Sequence, residues 1–495
     1  MDTAQKTLIV GMDGFRPEMM SEALTPNLWR LARQGVEFKN HRCCFPSETY
    51  VNLPSLVTGR PVSGHGIVAN YFLDPKIHPR KRWMGSYLDL VEAGMQAYDG
   101  RLFTTPNLGE MLGEAGRRMV VISGNSAGSV RLKHPSVGRF DDHLCLAVRD
   151  TATSQPRPQV EALLSAIGEA PPFEGQGTNE AGQTYATDAF LALVEADGLP
   201  DLTILWYGEP DHSYHVFGIG SPEAKRVMAH VDAELGRLLD AIAGRPDRDR
   251  LNVVVTSDHA HITQTRRFDT QEFLQEAGFT VDDHLEDGAD IALVPGYCAN
   301  ARIRDRDPAL IEKVCHALMA HPDVGMIFTT GREDAAGGVE GIIPGTFAQS
   351  LVFADHARSP DIYFILATDN ENDENGLEGT CRSDNGLKSG AGIHGGLHRK
   401  ELNNLLVANG PGFAAGRTIE TPTSIVEIAP TVLRLMGMTP PTDGGRILTE
   451  ALDGSAEPNG SAEAHTVSVS RAAYGQSLSR LRFAGRDYLD GGWHG

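Results

Sequence analysis

Short apolar runs rich in β-branched residues recur at 7–11, 119–123, 202–207, 252–256 and 405–408, and amphipathic stretches separate them. Runs this short with little polar alternation are what strands covered on both faces require. Between them the apolar spacing changes to that of helices. Leu28, Leu31 and Ala32 mark one face of a segment opened by Thr25-Pro26 and closed by Gly35. Thr25 can cap free backbone N–H groups there, Pro26 fits a first turn, and glycine suits the end. Thr105-Pro106-Asn107-Leu108 repeats that opening ahead of Leu112 and Gly116. Strands alternating with helices predict an α/β fold, a mostly parallel central sheet with helices on both faces.

The stretch 266–385 breaks this rhythm. It holds strand-like runs at 290–294 and 325–328, a helical pattern at 308–319, and a polar run at 369–375 that reads as a loop. We assign it to a smaller α+β cap inserted in a core made of 1–265 and 386–455, followed by a C-terminal extension, 456–495. Within that extension, 456–463 reads as a flexible linker and 466–469 as a late strand. No internal repeat is visible.

In open α/β sheets, chemistry collects beyond the carboxyl ends of the strands. Here the run 8–11 leads into Asp13, 202–207 into Glu209-Pro210-Asp211, and 252–256 into Asp258-His259. Asp211 and His215 are four residues apart, which places both on one face of a helix beginning at Asp211. His394 stands in the glycine-rich turn Gly392-Ile393-His394-Gly395-Gly396, where the backbone can carry an imidazole to a distant partner. Asp13, Asp258 and His259 form a second set, and the adjacent pair can share an ion only where the strand has ended. Mixed carboxylate and imidazole ligands suit zinc (Zn2+) best, with Mn2+ or iron as alternatives. A single histidine among 18 is more often hydrogen-bonded than ligating, so only the combination is specific. His41, His65, His134, His212, His261 and His398 are left as structural or supporting groups.

Composition narrows the picture further. The 495 residues are 41% hydrophobic and 22% charged, as in soluble globular proteins. No apolar run is long enough to span a bilayer. Residues 1–6 lead straight into the first strand without an apolar leader, which predicts a cytoplasmic protein. Six cysteines without CxxC pairs predict buried free thiols, not a disulfide framework or a thiolate zinc site. A net charge of −21 argues against nucleic-acid polymers and anionic membranes as partners. An anionic substrate would then require bound cations to offset the local field.

The segment Phe45-Pro46-Ser47-Glu48-Thr49-Tyr50-Val51-Asn52, followed by Val57-Thr58-Gly59, resembles the nucleophile segment of nucleotide pyrophosphatase/phosphodiesterases in the alkaline phosphatase superfamily. The likeness continues through Gly64-His65-Gly66-Ile67 to Asn70, and includes Gly11-Met12-Asp13-Gly14, Glu209-Pro210-Asp211 with His215, Ser257-Asp258-His259 and the turn around His394. These motifs run in the family's order from 11 to 396; Val51 departs from the family's proline. The resemblance implies Thr49 as nucleophile and Asn70 as the amide that steadies a phosphoryl oxygen. It implies two Zn2+ ions, one held by Asp211, His215 and His394, the other by Asp13, Asp258, His259 and the Thr49 oxygen. The implied reaction is hydrolysis of a phosphodiester or phosphonate monoester in a small molecule, through in-line attack and a covalent phosphothreonine.

A leaving-group pocket lined by aromatics is expected from the same resemblance, with Tyr50, Tyr71, Phe72 and Tyr207 as candidates. Three alternatives stay open. A phosphonoacetate hydrolase carries two lysines after the second core strand, where 123–128 has none and Arg131 and Lys133 follow. A phosphomonoesterase would use the same centre, and a degenerate relative would bind metal or phosphorylated ligand without turnover. Cys44-Phe45-Pro46-Ser47 mimics a sulfatase core, but Glu48 replaces its arginine, and Cys44 lies fourteen residues before Thr58 where Thr49 lies nine. The oligomeric state is open, a homo-oligomer included.

Overall fold

The computed structural model describes residues 5–332, 338–456, 458 and 460–495. The apolar runs become an eight-stranded sheet, in the spatial order Arg417–Ile419, Val36–Phe38, Leu406–Asn409, Leu251–Thr256, Lys6–Met12, Leu202–Tyr207, Met119–Ser123 and Leu144–Ala147. Its five right-hand members pair in parallel, with Val10 opposite both Leu205 and Val255. Leu406–Asn409 runs antiparallel to both its neighbours, a direction that its apolar run could not disclose.

Successive residues leave the sheet on opposite sides, so one strand feeds two cores. Ile9, Val121, Ile204 and Val254 pack with helices Thr49–Thr58 and Ile428–Leu435. Leu8, Val10, Ile122, Leu205 and Val255 pack with helices Pro26–Gln34, Glu180–Asp197 and Pro222–Ala243. Both faces are thus covered, which explains why these runs carry almost no polar positions. All six cysteines are buried and unbridged.

Helix openings depart in detail from the sequence reading. Thr25 precedes helix Pro26–Gln34, but its hydroxyl donates to Ser21 O at 3.2 Å and does not cap the helix. The second helix begins at Leu108, capped by Asn107, because Asn107 and Glu110 exchange a capping box that Thr105 cannot make.

A six-stranded sheet covers Val281–Asp282 to Ile362–Leu366, with helix Pro308–Met319 on it. The polar run at 369–375 is not a plain loop. Thr368–Asn372 pairs antiparallel with Glu378–Ser383, and its exposed position makes the polar side chains compatible with a strand. Glu378–Ser383 then joins Ile262–Arg267 and Gly392–Ile393 in a small sheet that carries the chain back to the centre.

The expected late strand is longer than 466–469. Glu463–Arg471, Tyr474–Phe483 and Arg486–His494 form a three-stranded antiparallel sheet, so Glu463 is strand, while 457 and 459 of the expected linker lie outside the described residues. This sheet ties two units together. Gln476 accepts from Ile327 N at 3.0 Å and donates to Ile327 O and Gly345 O at 3.0 and 2.8 Å. Asp490 accepts from Arg42 at 2.9 Å. Among the described residues, no helix is long and apolar enough to cross a membrane.

Gln476→Ala leaves three buried backbone groups without partners and is expected to cost about 2–3 kcal/mol. Urea unfolding should show a lower midpoint at unchanged slope; a midpoint equal to the parent's would contradict the bridging role.

Candidate active site

Five segments bring their side chains to one place. Asp13 follows the central strand Lys6–Met12, Asp211 and His215 lie on helix Asp211–Phe217, and Asp258, His259 and His261 follow Leu251–Thr256. Thr49 is the first residue of helix Thr49–Thr58, and His394 follows the short strand Gly392–Ile393. The partial positive charge at that helix start favours an anionic group beside Thr49.

The Asp211 carboxylate sits at the middle. Its Oδ1 is 3.1 Å from His261 Nε2, 3.3 Å from His215 Nε2, 3.6 Å from His394 Nε2 and 4.0 Å from His259 Nε2. His259 Nε2 is also 3.5 Å from Asp258 Oδ2, 3.8 Å from Asp13 Oδ1 and 3.0 Å from the Thr49 hydroxyl. Two sets of ligand atoms emerge: Asp211, His215, His261 and His394, and Asp13, Asp211 and His259. All six side chains expected as ligands, and Thr49, therefore converge.

The four imidazoles share one device. Each points its Nδ1 at a backbone carbonyl: His215 at Gly392 O, 2.7 Å; His259 at Ala260 O, 3.2 Å; His261 at Gly14 O, 3.2 Å; and His394 at Ser47 O, 2.8 Å. A carbonyl can only accept, so Nδ1 carries the proton and Nε2 turns its lone pair inward, the tautomer that metal ligation needs.

Asp13 is fixed from behind, its Oδ2 accepting from Asn125 Nδ2 at 2.6 Å and Trp206 Nε1 at 3.0 Å. A Cβ at Gly11 would lie 2.0 Å from the Trp206 ring, so only glycine lets the indole reach that carboxylate. Asp258 Oδ1 accepts from Gly14 N at 3.1 Å. The opposite oxygens, Asp13 Oδ1, Asp211 Oδ1 and Asp258 Oδ2, are buried without a hydrogen-bond partner.

The electrostatics reflect that gap. Burial, then Asp258 and Asp211, push the Asp13 carboxyl well above its ordinary range, and burial with Asp211 pushes Asp258 up to about 7. Burial also raises Asp211, but His215 and His261 overcome it and hold that carboxyl low. Burial drives His261 down to about 4 and His394 well below its usual value, keeping both neutral. Lys133, buried beside these carboxylates, is itself pulled down to about 7 by burial and offsets them only in part. Orphaned carboxylate oxygens facing neutral imidazole lone pairs fit divalent cations, which would restore the charge balance.

One buried carboxylate organises the approach. Glu401 accepts from Ser47 Oγ at 2.9 Å, Gly395 N at 3.0 Å, Gly396 N at 2.9 Å, and from His398 N and Tyr297 Oη at 2.8 Å. It therefore clamps the segment before Thr49 to the turn after His394. Gly395 has φ of +130°, a conformation that favours glycine.

A cavity of about 760 Å³ opens beside His215 and His394, walled by Glu48, Asn70, Tyr71, His212, Tyr297 and Lys388 among others. Asn70 Oδ1 accepts from Tyr50 N at 2.7 Å, which fixes the amide and leaves its NH2 group as the end available to a ligand. Of the expected aromatics, Tyr71 lines the cavity and Tyr50 is half-buried next to Thr49. Phe72 and Tyr207 are corrected to core residues: Phe72 packs on Trp83 at 4.9 Å, and the Tyr207 hydroxyl bonds Thr187 at 2.9 Å. Each sits on the strand side that turns inward. Arg131 pairs with Glu92 and Lys133 bonds Ser129, so both cations are already engaged and do not stand in for phosphonoacetate-binding lysines.

His261 is the ligand candidate the sequence reading left unassigned. Its position two residues after His259 was the available signal, since alternate residues of extended chain share a side. Asn125, Trp206 and Glu401 carried no comparable mark.

Comparison with known proteins adds a separate line of support. The family model described as type I phosphodiesterase / nucleotide pyrophosphatase matches residues 7–371. Human ectonucleotide pyrophosphatase/phosphodiesterase family member 7 is 26% identical over 464 residues, covering 90% of this chain and 82% of that protein. Human family member 5 is 24% identical over 286 residues, 56% of this chain and 50% of that protein. The solved murine family member 5, an inactive variant in complex with AMP, superposes with a TM-score of 0.62 at 20% identity, covering 91% of this chain and all of that one.

Glu401→Gln removes a charged acceptor from five donors and is expected to destabilise the fold by about 2–3 kcal/mol. Chemical denaturation checks this, and a loss below about 0.5 kcal/mol would contradict the clamp.

Proposed function

Because the chain belongs to the type I phosphodiesterase / nucleotide pyrophosphatase family of phosphoric ester hydrolases, we propose that it cleaves a small-molecule phosphodiester by attack of the Thr49 hydroxyl on phosphorus. The observation that carries this reading is the Thr49 oxygen, 3.0 Å from His259 Nε2, beside three carboxylates with unpartnered oxygens. No other hydroxyl of this segment is so placed: Ser47 is engaged by Glu401 and Gly396.

Asp211, His215, His261 and His394 would hold one cation, and Asp13, Asp258 and His259 with the Thr49 oxygen a second. Their mixed donors favour zinc, with manganese or iron as alternatives. Bound there, the ions would lower the hydroxyl pKa and offset charge on the phosphoryl oxygens. The chain's own residues do the rest. His259, its Nδ1 proton committed to Ala260 O, turns its Nε2 lone pair to the same point as the Thr49 oxygen 3.0 Å away, so a cation held there would orient both and the Thr49 proton would leave to solvent as the oxygen attacks. Attack forms the Thr49 Oγ1–P bond as the ester oxygen departs on the opposite side. Water then breaks that phosphothreonine and regenerates the hydroxyl. The Asn70 NH2 group donates to a non-bridging oxygen as charge develops on it. The cavity beside His215 and His394 receives the alcohol portion of the ester, with Tyr71 on its wall.

Thr49→Ala should lower kcat for bis-p-nitrophenyl phosphate by about 10⁴-fold or more while leaving the metal content unchanged. Hydrolysis within tenfold of the parent would sink the nucleophile assignment. Asp258→Asn should lose about one metal ion per chain by elemental analysis after zinc loading; two retained ions would remove Asp258 from the ligand set.

A further inference from the structure

Arg149 lies in the turn Val148–Thr153, which follows strand Leu144–Ala147 beyond the carboxyl edge of the central sheet. Its Nε donates to Gly124 O at 2.8 Å, and its guanidinium lies 3.6 Å from the centroid of the Phe173 ring. One edge and one face of the planar group are thereby fixed. Phe173 meets His212 edge-on at 5.0 Å, and His212 lines the cavity. On the other side, a Cβ at Gly208 would lie 3.3 Å from Arg149 Nη2 and 2.0 Å from Asn125 Oδ1. Asn125 is the residue that donates to Asp13. The guanidinium therefore lies behind the ligand cluster, beside the Asn125 that holds Asp13, and is separated from the cavity wall at His212 by the Phe173 ring.

What it lacks is a counter-charge. Arg131 pairs with Glu92 at 3.1 Å and Arg139 with Glu110 at 3.0 Å. Among the described residues, Arg149 has one hydrogen bond, to a carbonyl, and no ion pair. The acidic groups on which its charge acts include Asp13, Asp211 and Glu209, and none is within ion-pair distance of it. Asp13 Oδ2 is held by Trp206 and Asn125, Asp211 faces the imidazoles of the ligand cluster, and Glu209 accepts from the N–H groups of Ser213 and Asn179. Arg149 is only partly exposed, and a half-buried cation without a paired anion leaves hydrogen-bonding capacity unused. Its two free Nη groups form the planar fork that matches phosphate or carboxylate oxygens in pairs.

We propose that Arg149 is a specificity residue whose Nη groups hold a second anionic group of the substrate, a phosphate or carboxylate attached next to the reacting phosphorus. This rests on the hydrolase reading above for the identity of the reacting group, but binding can be read without turnover. Calorimetric titration of inorganic pyrophosphate and of phosphonoacetate into Thr49→Ala and into Thr49→Ala/Arg149→Ala supplies the test. The second variant should bind at least one anion tenfold or more weakly, and Arg149→Lys should restore only part of the loss because an ammonium lacks the fork. Weakening of pyrophosphate alone assigns a phosphate, and of phosphonoacetate alone a carboxylate. Equal affinities in both proteins, or no binding by either, overturn the proposal.

With Thr49 intact, Arg149→Ala should lower kcat/KM for ATP at least tenfold more than for bis-p-nitrophenyl phosphate. An equal fall on both substrates likewise overturns it. Arg149-dependent anion binding by a protein that hydrolyses neither substrate would instead sink the hydrolase reading and leave this one standing.

Discussion

Burying Asp13, Asp211 and Asp258 among four imidazoles sets the terms for the rest of the molecule. Carboxylates out of water demand either protons or cations, and here burial and mutual repulsion drive Asp13 and Asp258 upward while burial holds His261 and His394 neutral. Such a cluster persists only if the surrounding fold fixes every member. That explains the Nδ1–carbonyl bonds on all four histidines and the indole and amide behind Asp13.

The fold meets this demand with distant pieces. The parallel strands deliver Asp13, Asp211 and Asp258 from adjacent carboxyl ends, since Lys6–Met12 pairs with both Leu202–Tyr207 and Leu251–Thr256. Thr49 and His394 come from outside that trio. Glu401 secures them, taking donors from Ser47 and from Gly395 and Gly396, while Tyr297 ties the same carboxylate to the α+β unit. The C-terminal sheet extends the brace, with Gln476 on Ile327 and Asp490 on Arg42. Elements remote in sequence and in space thus carry mechanical responsibility for the placement of one hydroxyl.

The sequence discloses groups that chemistry singles out. The continuous apolar runs reveal the strands because both sheet faces are covered, and carboxylates directly after three such runs mark the site. It conceals what depends on partners far along the chain. The antiparallel direction of Leu406–Asn409, the strand at Thr368–Asn372 and the capping by Asn107 each follow from a neighbour that no local pattern names. The aromatic candidates divide for the same reason: Tyr71 reaches the cavity, whereas Phe72 and Tyr207 face Trp83 and Thr187. His261 was concealed by abundance, being one of 18 histidines and set apart only by its two-residue offset from His259.

Anomalous diffraction at the zinc edge, on crystals of the zinc-loaded protein, tests the central claim most directly. The account predicts two peaks among Asp13, Asp211, His215, Asp258, His259, His261 and His394, one of them about 2.0–2.2 Å from Thr49 Oγ1. A lone peak, or a pair remote from that oxygen, would contradict it.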